Sequence, residues 1–412
     1  MLRYSNNSRT TLIVFVFSLL IIGITSCNKT DSKQSDIVNI DIINSINNSK
    51  DYKLSDFVKE VEAIRLDTSK DGYIPYISNL TIGDNLILVS GTETVKVFTR
   101  AGKFVRNIGA KGKGPGEYLL TSAQMDHSEK YVFISDDQLD KLLKYSIDGN
   151  FIKEINLREY IPSLHFGRLR FVEDDQLAVA VRRYSLPTEE FFSVVTFDLD
   201  LNIKNKVLKR PNDENLLLDN LRRYRMEPIN YGLMFWETYF DTIYHINPDG
   251  EVKPKYHFKI SKNGLTHQEL SSPMGYSERL RSQDICFVYN VWEIPNFLLI
   301  EGIYPGFKLI HHIQNGETYS ITRPTFGASS NFDKIPSMDN DLYGIEPVYF
   351  DFYQSDINCL LKFYRSWMLE EDLDIQKIKQ KEVLFPAIRD KIIDMVNSEV
   401  GGIIIMILKL KS

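Results

Sequence analysis

A chain of 412 residues with a formal net charge of −6, 24 Phe and 22 Tyr is long enough for one large domain or for two or three ordinary ones. It has no excess of Lys and Arg of the kind that nucleic-acid binding requires, so no nucleic-acid partner is expected.

Arg3 and Arg9 precede an apolar run of 13 residues, Leu12 to Ile24 (LIVFVFSLLIIGI). That run is short for a bilayer span and suits a secretory signal. The small residues Thr25 and Ser26 then lead into Cys27. The stretch ITSC resembles the lipobox of bacterial lipoproteins. The resemblance implies removal of residues 1–26 and acylation of Cys27 with more than one chain, which makes membrane anchoring stable. An ordinary cleaved signal with an incidental cysteine is the alternative. The next stretch, NKTDSKQSD, is polar and aperiodic, which predicts a flexible tether; it is drawn over 27–50, with the folded domain over 51–412.

EVEAIRLDTS (60–69) reads as a lone strand. After it one shape recurs: a run of alternating apolar residues, a tight turn, and a second such run. VKVFTRAGKFVRNI (95–108) and DKLLKYSIDGNFIKEI (140–155) are the first two copies. The turn positions are Gly102, Gly149, Leu201, Gly250 and Gly316, at intervals of 47, 52, 49 and 66 residues. Glycine supplies the positive φ of a tight hairpin, so the turn at Leu201 is expected to be longer or different. Period-two alternation predicts strands with one buried face. Two further strand-like runs precede each hairpin, giving units of four antiparallel strands. Arranged radially, such units make a β-propeller.

The glycine-rich corner NIGAKGKGPGEY (107–118) lacks the Ser or Thr that a phosphate loop needs after Gly112-Lys113, and no helix opens behind it. It predicts a crossing between two blades, with Tyr118 filling the gap and Lys111 and Lys113 solvated. SDDQLD (135–140) reads as a solvated hairpin end and NPDGE (247–251) as turn chemistry. His127, His165, His245, His257 and His267 are scattered, and the neighbours His311 and His312 point to opposite faces of a strand. No metal and no cofactor is expected. Cys286 and Cys359 read either as buried small hydrophobes or as a disulfide in an exported compartment.

EPVYFDFYQSDINCLLKFYRSWM (346–368) supplies strands for a sixth blade. Residues 370–399 carry Ile375, Ile378, Ile388, Ile392 and Val396 at helical spacing, divided by Pro386 into two helices. GGIIIMILKL, over 401–410, is a closing strand that pairs with the early one and leaves no open edge. The fold class is therefore all-β: a six-bladed β-propeller of four-stranded antiparallel blades, closed by its amino- and carboxyl-terminal strands, with a short C-terminal helical excursion.

The run from KVFTRAGKF to NFIKEI resembles the NHL repeat: a glycine hairpin, Ile-Gly, a glycine-rich loop ending in an aromatic residue, and the next strand. With ITSC, VEAIRLDTS, GKGPGEY, DTIYHINPDGEV and the apolar last strand, the chain is similar to the six-bladed β-propeller lipoproteins of Bacteroidetes. The resemblance implies a ring anchored by lipid in the bacterial cell envelope, at the outer membrane, and carries no activity. VRRYSLP, LRRYRMEP and nearby aromatics nominate Arg182, Arg183, Arg222, Arg223, Arg225, Trp236 and Tyr239 as ligand-binding residues at a channel mouth, where guanidinium and ring groups suit an anionic or sugar-like ligand. The expected role is binding or scaffolding for a peptide, a glycan or an envelope protein. The alternative is a propeller lyase or hydrolase acting on a carbohydrate or lactone.

Overall fold

The computed structural model describes residues 37–412 other than 70, 161–163, 184–190, 211–223, 238–239, 267–268, 270–277, 280–281, 283, 304–305, 322–337, 346–349, 366–368, 370–374 and 398–401. Residues 38–412 form one compact unit. Five four-stranded sheets and one five-stranded sheet are arranged as the six blades of a propeller. Blade I holds Asn79–Ile82, Leu86–Ser90, Val95–Thr99 and Phe104–Asn107, from the axis outward. Blade II holds Thr121–Met125, Tyr131–Asp136, Lys141–Ser146 and Phe151–Asn156. Blade III holds Leu164–Glu173, Gln176–Arg183, Phe191–Asp198 and Ile203–Arg210. Blade IV holds Tyr224–Pro228, Leu233–Glu237, Thr242–Ile246 and Val252–Lys259, and blade V holds Phe287–Ile294, Phe297–Ile303, Phe307–His312 and Thr318–Ser320.

Blade VI closes the ring. Its strands are Phe352–Gln354, Cys359–Arg365 and Ile403–Leu410, and the early strand Val58–Leu66 completes it at the outer edge. The early and last strands pair antiparallel from Val58↔Leu410 to Leu66↔Ile403. The beginning and the end of the folded chain are thus tied by a backbone ladder, as the two lone apolar runs predicted.

Six apolar clusters hold the ring together, one in each gap between neighbouring blades. Successive residues of a middle strand feed opposite gaps, because side chains alternate across a sheet. Ile404, Met406 and Leu408 enter the gap between blades V and VI, while Ile403, Ile405 and Ile407 enter the gap between VI and I. Both faces of such a strand are buried, and IIIMILKL is accordingly a continuous apolar run. Alternation appears at the inner strand Thr121–Met125, where buried and intermediate residues alternate, and at outer strands such as Phe104–Asn107, where intermediate and exposed residues do.

All five hairpin positions have positive φ: 86° at Gly102, 87° at Gly149, 63° at Leu201, 90° at Gly250 and 74° at Gly316. The longer turn expected at Leu201 is not formed. Leu201 N–H donates to Asp198 O and Asp198 N–H donates to Asn202 O, the same pattern as at Gly149. The Asp198 carboxylate also accepts from the backbone of Asp200 and Asn202, and the leucine side chain is buried at 2% exposure between blades II and III. Those contacts offset a left-handed conformation that costs a residue with a Cβ about 1–2 kcal/mol.

The glycine-rich corner forms a two-residue parallel pairing, Ala110–Lys111 with Glu117–Tyr118, on the way from blade I to blade II. Tyr118 is buried at 1% between those blades, donating to Ile108 O at 2.6 Å and accepting from Val95 N–H at 3.2 Å. Lys111 and Lys113 are exposed. The SDDQLD stretch is less solvated than expected. Asp136 and Asp140 are both 0% exposed, because Asp136 caps the backbone N–H groups of Gln138 and Leu139 and Asp140 accepts from Arg158 Nε at 2.5 Å.

Residues 38–50, drawn as part of the tether, are folded onto the ring. Val38–Asp41 adds a fifth strand to blade IV, parallel to its outer strand from Val38↔Tyr256 to Asp41↔Lys259. The chain then exchanges backbone hydrogen bonds with Ser320 on blade V and with Asp339 before entering blade VI. This belt reads as tether because its strand is four residues long and is held chiefly through backbone groups, with Ile40 and Ile42 as the buried anchors.

The C-terminal excursion forms two helices, Ile375–Gln380 and Pro386–Val396, with Pro386 at the first position of the second. Ile378, Ile392, Ile393 and Val396 pack into the gap between blades V and VI. Cys286 and Cys359 are both free and buried, in different gaps.

Candidate functional site

Innermost strands line the axis, and the turns that follow them crowd one end of it. There the ring forms an open-mouthed cavity of about 830 Å³, bordered by blades I, II, III, IV and VI. That volume falls in the range of small-molecule sites, about 300–1,000 Å³.

Buried polar groups line its depth. Arg170, on the inner strand of blade III, is 6% exposed; Glu227, on the inner strand of blade IV, is also 6% exposed. Arg170 Nη2 lies 3.6 Å from the Glu227 carboxylate, and Arg168 Nη1 lies 3.4 Å from the same oxygen. Burial pushes the Arg170 guanidinium below its usual range, with Glu227 opposing and Arg168 adding to the effect. Thr81 of blade I lines the wall with 9% exposure, and its Oγ1 has no hydrogen-bond partner among the described residues. Gln354 of blade VI holds its wall by pairing with both the N–H and the C=O of Ile82, each at 2.8 Å.

The rim is acidic. Glu173, Asp174 and Asp175 form the exposed turn between the first two strands of blade III, and Asp356 sits in the corresponding turn of blade VI. His127, from the turn of blade II, stands between two of them, with Nε2 3.4 Å from Asp174 and Nδ1 3.3 Å from Asp356. Among the described residues, no three His, Cys, Asp or Glu side chains converge at metal-ligand spacing.

Of the residues nominated from sequence, Arg225 and Trp236 are directly opposite each other in blade IV. Neither borders the cavity. Arg225 donates from Nε to Tyr289 O at 3.2 Å and stacks its guanidinium 4.2 Å from the Tyr289 ring centre, tying blade IV to blade V. Trp236 is 1% exposed in the apolar gap between the same blades, with no ring face open to a ligand. Its position in the middle of a second strand puts it in the interblade core, which explains the difference. Arg182 and Arg183 end the second strand of blade III, with their side chains outside the described residues. Arg222, Arg223, Tyr239 and Cys27 also lie outside the described residues.

Sequence reading missed Arg168, Arg170, Thr81, Glu227 and the role of His127. The signal available was GRLRFVEDDQL, two arginines in alternation on an innermost strand followed by an acidic turn. A charged residue repeated at period two in a strand nearest the axis points into the channel or an interblade gap.

Several solved structures are similar to this chain, to different degrees. A protein of Bacteroides fragilis described as exported is 19% identical with a TM-score of 0.64, covering 91% of this chain and 100% of its own. A member of the DUF4221 family from Bacteroides vulgatus is 12% identical with a TM-score of 0.42, covering 64% of this chain and 84% of its own. Virginiamycin B lyase from Staphylococcus aureus is 14% identical with a TM-score of 0.38, covering 63% and 73%. No curated protein matches the sequence. A family model described as a domain of unknown function, DUF4934, matches residues 37–388, and the chain belongs to that family.

Proposed function

We propose that this chain is a lipoprotein of the bacterial cell envelope, held at the outer membrane by an acylated Cys27, whose ring binds a peptide, a glycan or an envelope partner at the axial cavity. The charged start, the short apolar run and the small residues before Cys27 support the address. A Bacteroides fragilis protein of the same fold is described as exported, which agrees with it. An NHL-type repeat is supported by the glycine hairpins and the glycine-rich corner that ends in Tyr118.

The observation that carries the binding role is the cavity itself: five blades present hydrogen-bonding groups and apolar surface to one concave space. Its buried ionisable groups, Arg170 and Glu227, are paired with each other across two blades. A soluble form beginning after Cys27, used to capture partners from envelope extract and to probe a glycan array, tests the reading. Saturable binding that is weakened by Thr81→Trp, which would crowd the cavity wall, is expected. Binding undiminished by that change would place recognition elsewhere. A second reading, a lyase or hydrolase at the same mouth, is favoured by one feature: His127 between two carboxylates has the pairing of a general acid or base. Turnover of a bound ligand, abolished by His127→Gln with binding retained, would establish it.

A further inference from the structure

The charges around the cavity are sorted by depth. At its floor, Arg168 and Arg170 both reach one carboxylate oxygen of Glu227, two positive charges against one negative among the described residues, which leaves +1. Burial weakens the charged form of Arg170, and Arg168 adds to the effect while Glu227 opposes it. At the rim, Glu173, Asp174, Asp175 and Asp356 give four negative charges, with His127 the one basic side chain among the described residues that borders the cavity there. Between these layers the Thr81 hydroxyl is more than nine-tenths buried with no partner among the described residues, and an unpartnered buried hydroxyl points to a group that is missing.

Resting on the binding role above, we infer that the cavity takes a short peptide as a zwitterion, its carboxyl terminus inward at Arg170 and its ammonium outward at the acidic rim. A carboxylate entering beside Arg170 supplies the anion that the interior lacks, and guanidinium-carboxylate pairing is strong where water is excluded. An ammonium at Asp174 and Asp175 meets carboxylates that have no comparable excess of cations. The Thr81 hydroxyl bonds the peptide backbone between the two ends. A neutral glycan satisfies neither charged layer, so a peptide is favoured over a sugar.

Equilibrium dialysis of the full chain in detergent against a mixed tripeptide library tests this. The library is offered in three forms: free, C-terminally amidated and N-terminally acetylated. Retention of the free form at least tenfold above each blocked form is expected. Asp174→Asn with Asp175→Asn should abolish the penalty for acetylation, since both side chains stand in an exposed turn whose folding they do not carry. Arg170→Gln should abolish the penalty for amidation. Because that change also breaks a buried pair, the amidated library makes the same test on the unaltered chain. Equal retention of all three forms overturns the inference. Binding of glycans without peptides overturns it and leaves the binding role standing. Failure of peptides, glycans and envelope extract alike overturns both.

Discussion

Thr81 makes the stability of the ring and the use of its cavity separable at one atom. Its Oγ1 is buried without a partner among the described residues, and leaving a hydroxyl in that state costs about 1–3 kcal/mol. Thr81→Val keeps the shape and removes the polar atom. It is expected to raise the unfolding free energy by about 1 kcal/mol in urea titrations while weakening ligand retention. Lower stability would mean that the hydroxyl is satisfied, by an ordered water for example. Leu201 shows the opposite trade, and why a residue can mislead when read alone. Its backbone penalty is visible in the sequence as a missing glycine. The contacts that offset it, an apolar gap filled from blades II and III and a carboxylate capping its own turn, come from the assembled ring.

Elements held by local signals were legible, and elements held by distant ones were not. Asp-Gly and Asn-Gly turns mark hairpins, Pro386 marks a helix start, and two unmated apolar runs require each other. The belt over residues 38–57 has no such mark, since its hydrogen bonds go to Ser320 and Asp339, nearly three hundred positions away. The cavity was illegible for the same reason: five blades each contribute a short piece of three to six residues, and no single linear motif results. The belt also carries a dependence on pH. Tyr52 OH and His312 Nε2 are 2.6 Å apart, joining it to blade V. Burial lowers the proton affinity of His311 and of His312, with His312 adding to the first effect and Lys50 to the second. Folding therefore favours the neutral rings. As pH falls below the unfolded value of about 6.5, the unfolded chain takes up protons that the folded chain resists, and stability declines until the folded histidines titrate in turn. His312→Asn should lose about 1 kcal/mol at neutral pH with the tyrosine hydrogen bond, yet show a shallower decline on acidification. Parallel urea titrations at about pH 7.5 and about pH 5.5 measure both. A slope unchanged from the parent chain would assign the acid sensitivity to other groups.

At the scale of the whole molecule, closure is a matter of where edges are left open. Each blade packs on two neighbours, so no blade is stabilised by its own hydrogen bonds alone, and loss of one contact pair is felt around the ring. Two truncations separate the belt from the closure. A chain beginning at residue 51 lacks the fifth strand of blade IV and the burial of Ile40 and Ile42, worth about 1.5–3 kcal/mol for each side chain. It still contains both partners of the closing ladder. It should melt cooperatively at a lower temperature, as a monomer. A chain beginning at residue 68 lacks Val58–Leu66, which uncovers Ile403–Leu410 along its whole hydrogen-bonding edge and removes Ile64 and Leu66 from the gap against blade I. An uncovered, strongly apolar strand recruits another chain. The expected outcome is aggregation on size-exclusion chromatography, relieved when a peptide spanning 58–66 is supplied in trans. If the shorter chain were instead monomeric and melted near the parent temperature, the interblade clusters alone would hold the wheel together. The ladder between the chain's two ends would then set only which residues fill the sixth blade.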